Sequence, residues 1–207
     1  MQLFNQVNKF KKFFAGLIAL VVLTGCSQVG SGVSIGDSEV SAAQIQKYVD
    51  EILTERSKVD TSQMQLDGGA VLTRTQAQFQ IISAILDQII VDKKISVTPA
   101  DVATRRAAIV NQVGGEDQMP KALVAAGLAP SNFDKYLKII LISERLNEIV
   151  LAEGATEQTA GDAVTKLVTD AASKLGVTVN SRYGKWNELT ATIDDADNTD
   201  GAVTPVP

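Results

Sequence analysis

Hydrophobic side chains recur at helical spacing along most of the chain. After Ser41, the residues Ile45, Tyr48, Val49, Ile52 and Leu53 fall at i, i+3, i+4, i+7 and i+8 and form one apolar stripe. Ser41 and Gln44 have capping-box spacing, so a first helix is expected to begin there. A second helix is expected from about Thr73 to about Val91. Its Phe79, Ile81, Ile82, Ile85, Leu86, Ile89 and Ile90 cover most of the circumference, which places it at the centre of a bundle. Thr98-Pro99 with Asp101 reads as an N-cap, a first-position proline and an acid in the first turn, and Gly114-Gly115 as the stop of that third helix.

A shorter helix should carry Met119, Leu123 and Val124 and stop at Gly127. Ser131 with Asp134 starts a long fifth helix through Phe133, Leu137, Ile140, Leu146 and Val150, ended by Gly154. A sixth, about Thr159 to Leu175, closes at Gly176. Two stretches alternate instead: Val33 to Val40 around Gly36-Asp37, and Val177-Thr178-Val179. The pattern predicts a mainly α fold, a helical bundle of five to six helices with a small β element formed by N- and C-terminal segments. Residues 57–72 are a long connection turning at Asp67-Gly68-Gly69, a class of loop that is often functional.

The first 25 residues follow other rules. Lys9, Lys11 and Lys12 precede the apolar run Phe13 to Leu23, too short for the roughly 20 residues of a membrane-spanning helix. This is the layout of a secretory signal. Leu23-Thr24-Gly25-Cys26 resembles a bacterial lipobox, which implies cleavage before Cys26 and a diacylglyceryl group on its sulfur. Two acyl chains suffice for stable anchoring. The expected organisation is therefore a lipoprotein signal peptide over 1–25, a lipidated tether over 26–32, a folded domain over 33–193 and a disordered acidic tail over 194–207.

Composition narrows the chemistry. The chain has no histidine and one cysteine, which removes every Ser/His/Asp or Cys/His arrangement and any internal disulfide. Loss of residues 1–25 takes three lysines and no acid, leaving 16 basic against 24 acidic side chains and a net charge of −8. No Lys/Arg cluster follows the signal, so no nucleic-acid partner is expected. No phosphate-cradling loop is present either, so no nucleotide is expected. Asp92, Asp101, Glu116, Asp117 and the late acids Asp194, Asp195, Asp197 and Asp200 are scattered or at helix ends and match no calcium loop. No catalytic, cofactor or metal residue is assigned, and the chain is read as no enzyme.

The order of Val33 to Val40, Ile95 to Val102 and Gly127 to Phe133 before successive helices is similar to the N-terminal chaperone region of SurA-like and PrsA-like foldases. Asn180-Ser181-Arg182-Tyr183-Gly184 stands where that family tends to have Asn-Pro-Arg-Phe/Tyr-Gly. The resemblance covers most of residues 33–190. It implies that Val33 to Val40 pair with Val177 to Lys185 and that a helical cradle, closed by this segment from the chain's end, binds unfolded polypeptide clients. The parvulin insert of many members has no room here, because only Gly154 to Gln158 separate the fifth helix from the sixth, and the paired histidines of parvulin sites are absent. The expectation is a holdase anchored by Cys26 to the bacterial cell membrane on its extracytoplasmic side. Its candidate client-binding residues are Met64, Leu66, Met119, Leu128, Phe133 and Trp186, each of which also fits a plain core role. The alternative is a non-enzymatic adaptor lipoprotein that binds one folded envelope partner.

Overall fold

The computed structural model describes residues 30–195. The signal segment, Cys26 and residues 196–207 lie outside the described residues. The order of elements is β1 (Ser31–Ile35), β2 (Ser38–Ser41), α1 (Ala42–Arg56), α2 (Gly69–Lys93), α3 (Pro99–Val113), α4 (Met119–Ala125), α5 (Phe133–Ala152), α6 (Ala160–Leu175), β3 (Val177–Val179), β4 (Lys185–Asn187) and β5 (Thr192–Asp194). The fold is mainly α, with six α-helices among the described residues and a small β part.

α2 is the axis. Its Ile81 and Ile85 are fully buried, and Ala77, Leu86 and Ile89 join them in the largest core cluster with Val33 and Ile35 of β1, Ile142 and Leu146 of α5, and Ala171 and Ala172 of α6. A second cluster seats Tyr48, Val49 and Ile52 of α1 on Leu72 and Ala129. A third gathers Met119, Leu128, Phe133 and Leu137, with Val102, Ile109, Val110 and Val113 of α3 packed against them from one side.

The two ends of the domain meet in one antiparallel sheet of order β2-β1-β3. Val33 stands opposite both Val40 and Val179, and Ile35 opposite both Ser38 and Val177. Gly36 takes φ 56° at the first position of the two-residue turn, where a glycine enters without strain. Its N–H donates to the Gly176 carbonyl at 3.2 Å and ties the hairpin to the end of α6.

Several boundaries differ from the sequence reading. Ser31 and Gly32 belong to β1, not to a tether: a Cβ at residue 32 would overlap the Val40 carbonyl and the Ile45 side chain, so the glycine is what lets β1 approach. Pairing with β1 ends at Val179. Asn180 then turns the chain through a 3-10 turn at Ser181–Tyr183, and Lys185 pairs instead with Asp194 in a separate β4-β5 hairpin, with Trp186 opposite Ile193. Asp194 is thus a strand residue and Asp195 an ion-pair partner of Arg74, so neither is part of a free tail. Ser131 also starts no helix directly. Pro130–Asn132 form a 3-10 turn, and α5 follows from Phe133.

Candidate functional site

Four polar side chains of α2 decide what lies around it. Arg74 and Gln78, one turn apart, face the C-terminal hairpin. Arg74 Nε donates to the Tyr183 carbonyl at 3.0 Å. Gln78 Nε2 donates to the Ala191 carbonyl at 2.8 Å while its Oε1 accepts from the Ile193 N–H at 2.7 Å, so one amide satisfies two backbone groups. Gln76 and Gln80, also one turn apart, face the segment that leads into α5. Gln76 Nε2 donates to the Gly127 carbonyl at 3.0 Å, and Gln80 Oε1 accepts from Lys135 Nζ at 2.9 Å. Gln76 and Gln80 are 1% and 3% exposed, and Gln76 Oε1, Gln80 Nε2 and Asn132 Nδ2 have no partner in this layer.

Lys135 lines a cleft of about 440 Å³ between α2, α3 and α5. Pro99, Val102 and Ala103 of α3 supply its apolar wall, and Asp87, Arg106, Asp134, Lys135 and Lys138 its charges. Arg106 pairs with Asp134 at 2.9 Å and lies over the Phe133 ring at 4.9 Å; Lys138 pairs with Asp87 at 2.6 Å. Two of three cations are thereby matched. The third, Lys135, has no carboxylate of the described residues within ion-pair distance, and its burial pushes the ammonium's pKa down. Asp87 also borders a second cleft, about 490 Å³, under the β1-β2 turn with Lys174 and Leu175. A third, about 460 Å³, lies between the acidic side of α1 and Pro130-Ser131.

Comparison with protein-family models, with curated proteins and with solved structures finds no match for this chain. What the site does must therefore come from its own geometry.

The six candidate client-binding residues divide evenly. Met119, Leu128 and Phe133 come together, but as the buried floor beneath α3, where they have almost no exposed surface. Their placement at helix ends and loops disguised them, because the 3-10 turn folds that loop inward. Met64 and Leu66 stay half-buried on the 57–68 connection, and Trp186 is half-buried against the main core. That connection is fixed by Arg56, whose Nη1 donates to the Asp67 carbonyl at 2.5 Å beside a cavity of about 90 Å³ that includes Leu66 and Leu72. Other large apolar residues reach solvent: Leu53 on α1, Val71 and Val91 on α2, Tyr136 on α5 and Leu189 in the β4-β5 turn.

The acids have local duties. Asp101 completes the capping box with Thr98, whose hydrogen bonds hold its carboxyl below the ordinary carboxylate range. Asp92 accepts from Gln88, Asp194 from Asn187, and Asp195 pairs with Arg74. Among the described residues no three acidic or thiol side chains converge on a metal-sized site, and no helix is long and apolar enough to cross a membrane. Cys26 lies outside the described residues.

Sequence reading missed Lys135 and the α2 glutamines. The signal was present: polar residues at 74, 76, 78 and 80 interrupt an otherwise apolar helix that is covered on several sides. A buried polar side chain must find a partner.

Proposed function

We propose that this chain is a lipid-anchored extracytoplasmic chaperone of the holdase type, similar to SurA-like and PrsA-like proteins, that binds unfolded secreted or envelope polypeptides without prolyl-isomerase activity. The observation that carries the reading is the pairing of Val33–Ile35 with Val177–Val179, since the resemblance implies a helical cradle closed by the chain's end. Asn180 strengthens that junction, its N–H on the Gly32 carbonyl at 3.0 Å and its Nδ2 on the Ser31 carbonyl at 3.1 Å. In this reading the lipid on Cys26 holds the domain at the outer face of a bacterial membrane. Clients are met at the cleft between α2, α3 and α5 and at the half-exposed Met64, Leu66 and Trp186. Met119, Leu128 and Phe133, buried beneath α3, offer a client almost no surface. Release needs no nucleotide, because short apolar contacts are weak one by one.

The burial of those three residues favours a second reading, an adaptor for one folded envelope partner, since small clefts with fixed charges suit a defined surface. One experiment separates the two. The full-length chain in nanodiscs, in several-fold excess, is expected to slow the aggregation of chemically denatured citrate synthase, measured by light scattering. Unchanged scattering, together with a single stoichiometric partner in an envelope pull-down, would replace the holdase by the adaptor.

A further inference from the structure

The α2-α3-α5 cleft holds a half-buried cation with no carboxylate of the described residues in ion-pair distance. On a chain with 24 acidic and 19 basic side chains, its lining holds three cations and two acids. Arg106 and Lys138 are each matched by an aspartate, and Lys135 is the remainder. Its Nζ is held by Gln80 Oε1 at 2.9 Å, so the ammonium is fixed by a side chain anchored in the buried layer. An ammonium has three donors, and this bond uses one. Taking a lysine partly out of water is costly, Asp87 offsets that cost only from beyond ion-pair distance, and the ammonium stays beside an apolar wall of Pro99, Val102 and Ala103. The missing component is a carboxylate carried next to an apolar group.

We infer that the cleft between α2, α3 and α5 binds the free carboxyl end of a polypeptide, with Lys135 taking the terminal carboxylate and the last apolar side chain lying on Pro99, Val102 and Ala103. A volume of about 440 Å³ accepts a ligand of a few residues, in the ordinary range of small-ligand sites. A terminal carboxylate suits it better than an aspartate or glutamate side chain, because the negative group and an apolar side chain then share one residue and enter together. Gln80 is a positioning residue, which holds the ammonium and touches no ligand. The inference rests on the chaperone reading only in taking a polypeptide as the ligand.

The test is fluorescence anisotropy with the purified full-length chain in nanodiscs and three dye-labelled peptides. One is Ser-Gly-Ser-Val-Ala-Leu with a free carboxyl end, the second is its C-terminal amide, and the third is that amide with an internal aspartate in place of the second serine. The free acid is expected to bind at least about tenfold more tightly than either amide, the loss expected for one charge-assisted hydrogen bond. Lys135→Gln is expected to lower the acid to the level of its amide. Lys166→Gln, which removes an exposed cation paired with Asp170 on α6, is expected to leave the difference intact. Equal binding of acid and amide, no binding of either, or a difference that survives Lys135→Gln would overturn the assignment. An internal-aspartate amide as tight as the acid would give the cleft to side-chain carboxylates and overturn the chain-end assignment. Should Lys135→Gln fail to fold by circular dichroism, the acid-against-amide comparison on the unaltered chain still decides. A chain that selects the free acid yet leaves citrate synthase aggregation unchanged loses the holdase reading and keeps this site; the reverse result removes this site alone.

Discussion

Helices α2 and α3 are built from similar apolar residues and obey opposite rules. α2 has no side-chain N-cap, starts at Gly69 with φ 52°, and ends in a left-handed Lys94 with φ 54°, yet it buries Leu72, Ala77, Ile81, Ile85, Leu86 and Ile89. α3 has a complete capping box at Thr98 and Asp101, a proline in its first turn and a glycine C-cap at φ 99°, yet buries no residue fully. Instead it presents a half-buried stripe to α5 and holds on with the two-pronged Arg105–Glu144 pair, at 2.7 and 2.5 Å, and with Arg106–Asp134. Local signals stabilise α3 where packing is thin; packing holds α2 where local signals are poor. Most helical stability in proteins comes from tertiary packing, and α2 is the case in point.

The sharpest way to break this contrast is truncation. Ile85→Ala, in the centre of α2, is expected to lower unfolding free energy by about 2–5 kcal/mol in urea titrations, whereas Val110→Ala on α3 should cost about 1 kcal/mol, near the value of a partly buried methylene or two. Similar losses at both positions would mean that α3 is as much a part of the core as α2. Next in size, Thr98→Ala should cost about 1 kcal/mol, with hydrogen exchange rising through α3 and unchanged in α2. A uniform rise would show that the cap serves the whole domain.

The smallest effect is electrostatic. Arg105 holds the Glu144 carboxyl below the ordinary range by its hydrogen bonds, and Thr98 does the same for Asp101. A carboxylate with a depressed folded pKa contributes stability that is present above its unfolded value and lost as pH falls through the folded one. Acidification below about pH 4 should therefore loosen α3 before α2, read as exchange corrected for its intrinsic pH dependence. Glu144→Gln should remove part of that step at a cost of about 0.2–1 kcal/mol. Simultaneous loosening of both helices would show that the pair adds nothing specific to α3.

The same contrast explains how much was legible in advance. The ends of α3 stand in the sequence at Thr98 and Gly114 because cap chemistry is local. The ends of α2 were expected at Thr73 and Val91 and fall at Gly69 and Lys93, since Gly68-Gly69 reads as a turn and the helix is extended by what it packs on. Alternation marked β1 and β3 as strands, and the resemblance, not the alternation, implied that they pair. The β4-β5 hairpin did not, because its strands are three residues each and are held by Gln78 and Arg74, more than a hundred residues away. The cleft was invisible for a similar reason. Lys135 is one lysine among many until Gln80 and two ion pairs single it out.

The position of β1 has a mechanical consequence. It is the first strand of the described chain and also the central one, bonded to β2 on one edge and β3 on the other. Ladder bonds run across the strands, so a tug arriving along the backbone from the N-terminal side loads two rows of them together, in shear, rather than unzipping one at a time. Pulled from that side, the sheet has to yield on both edges of its middle strand.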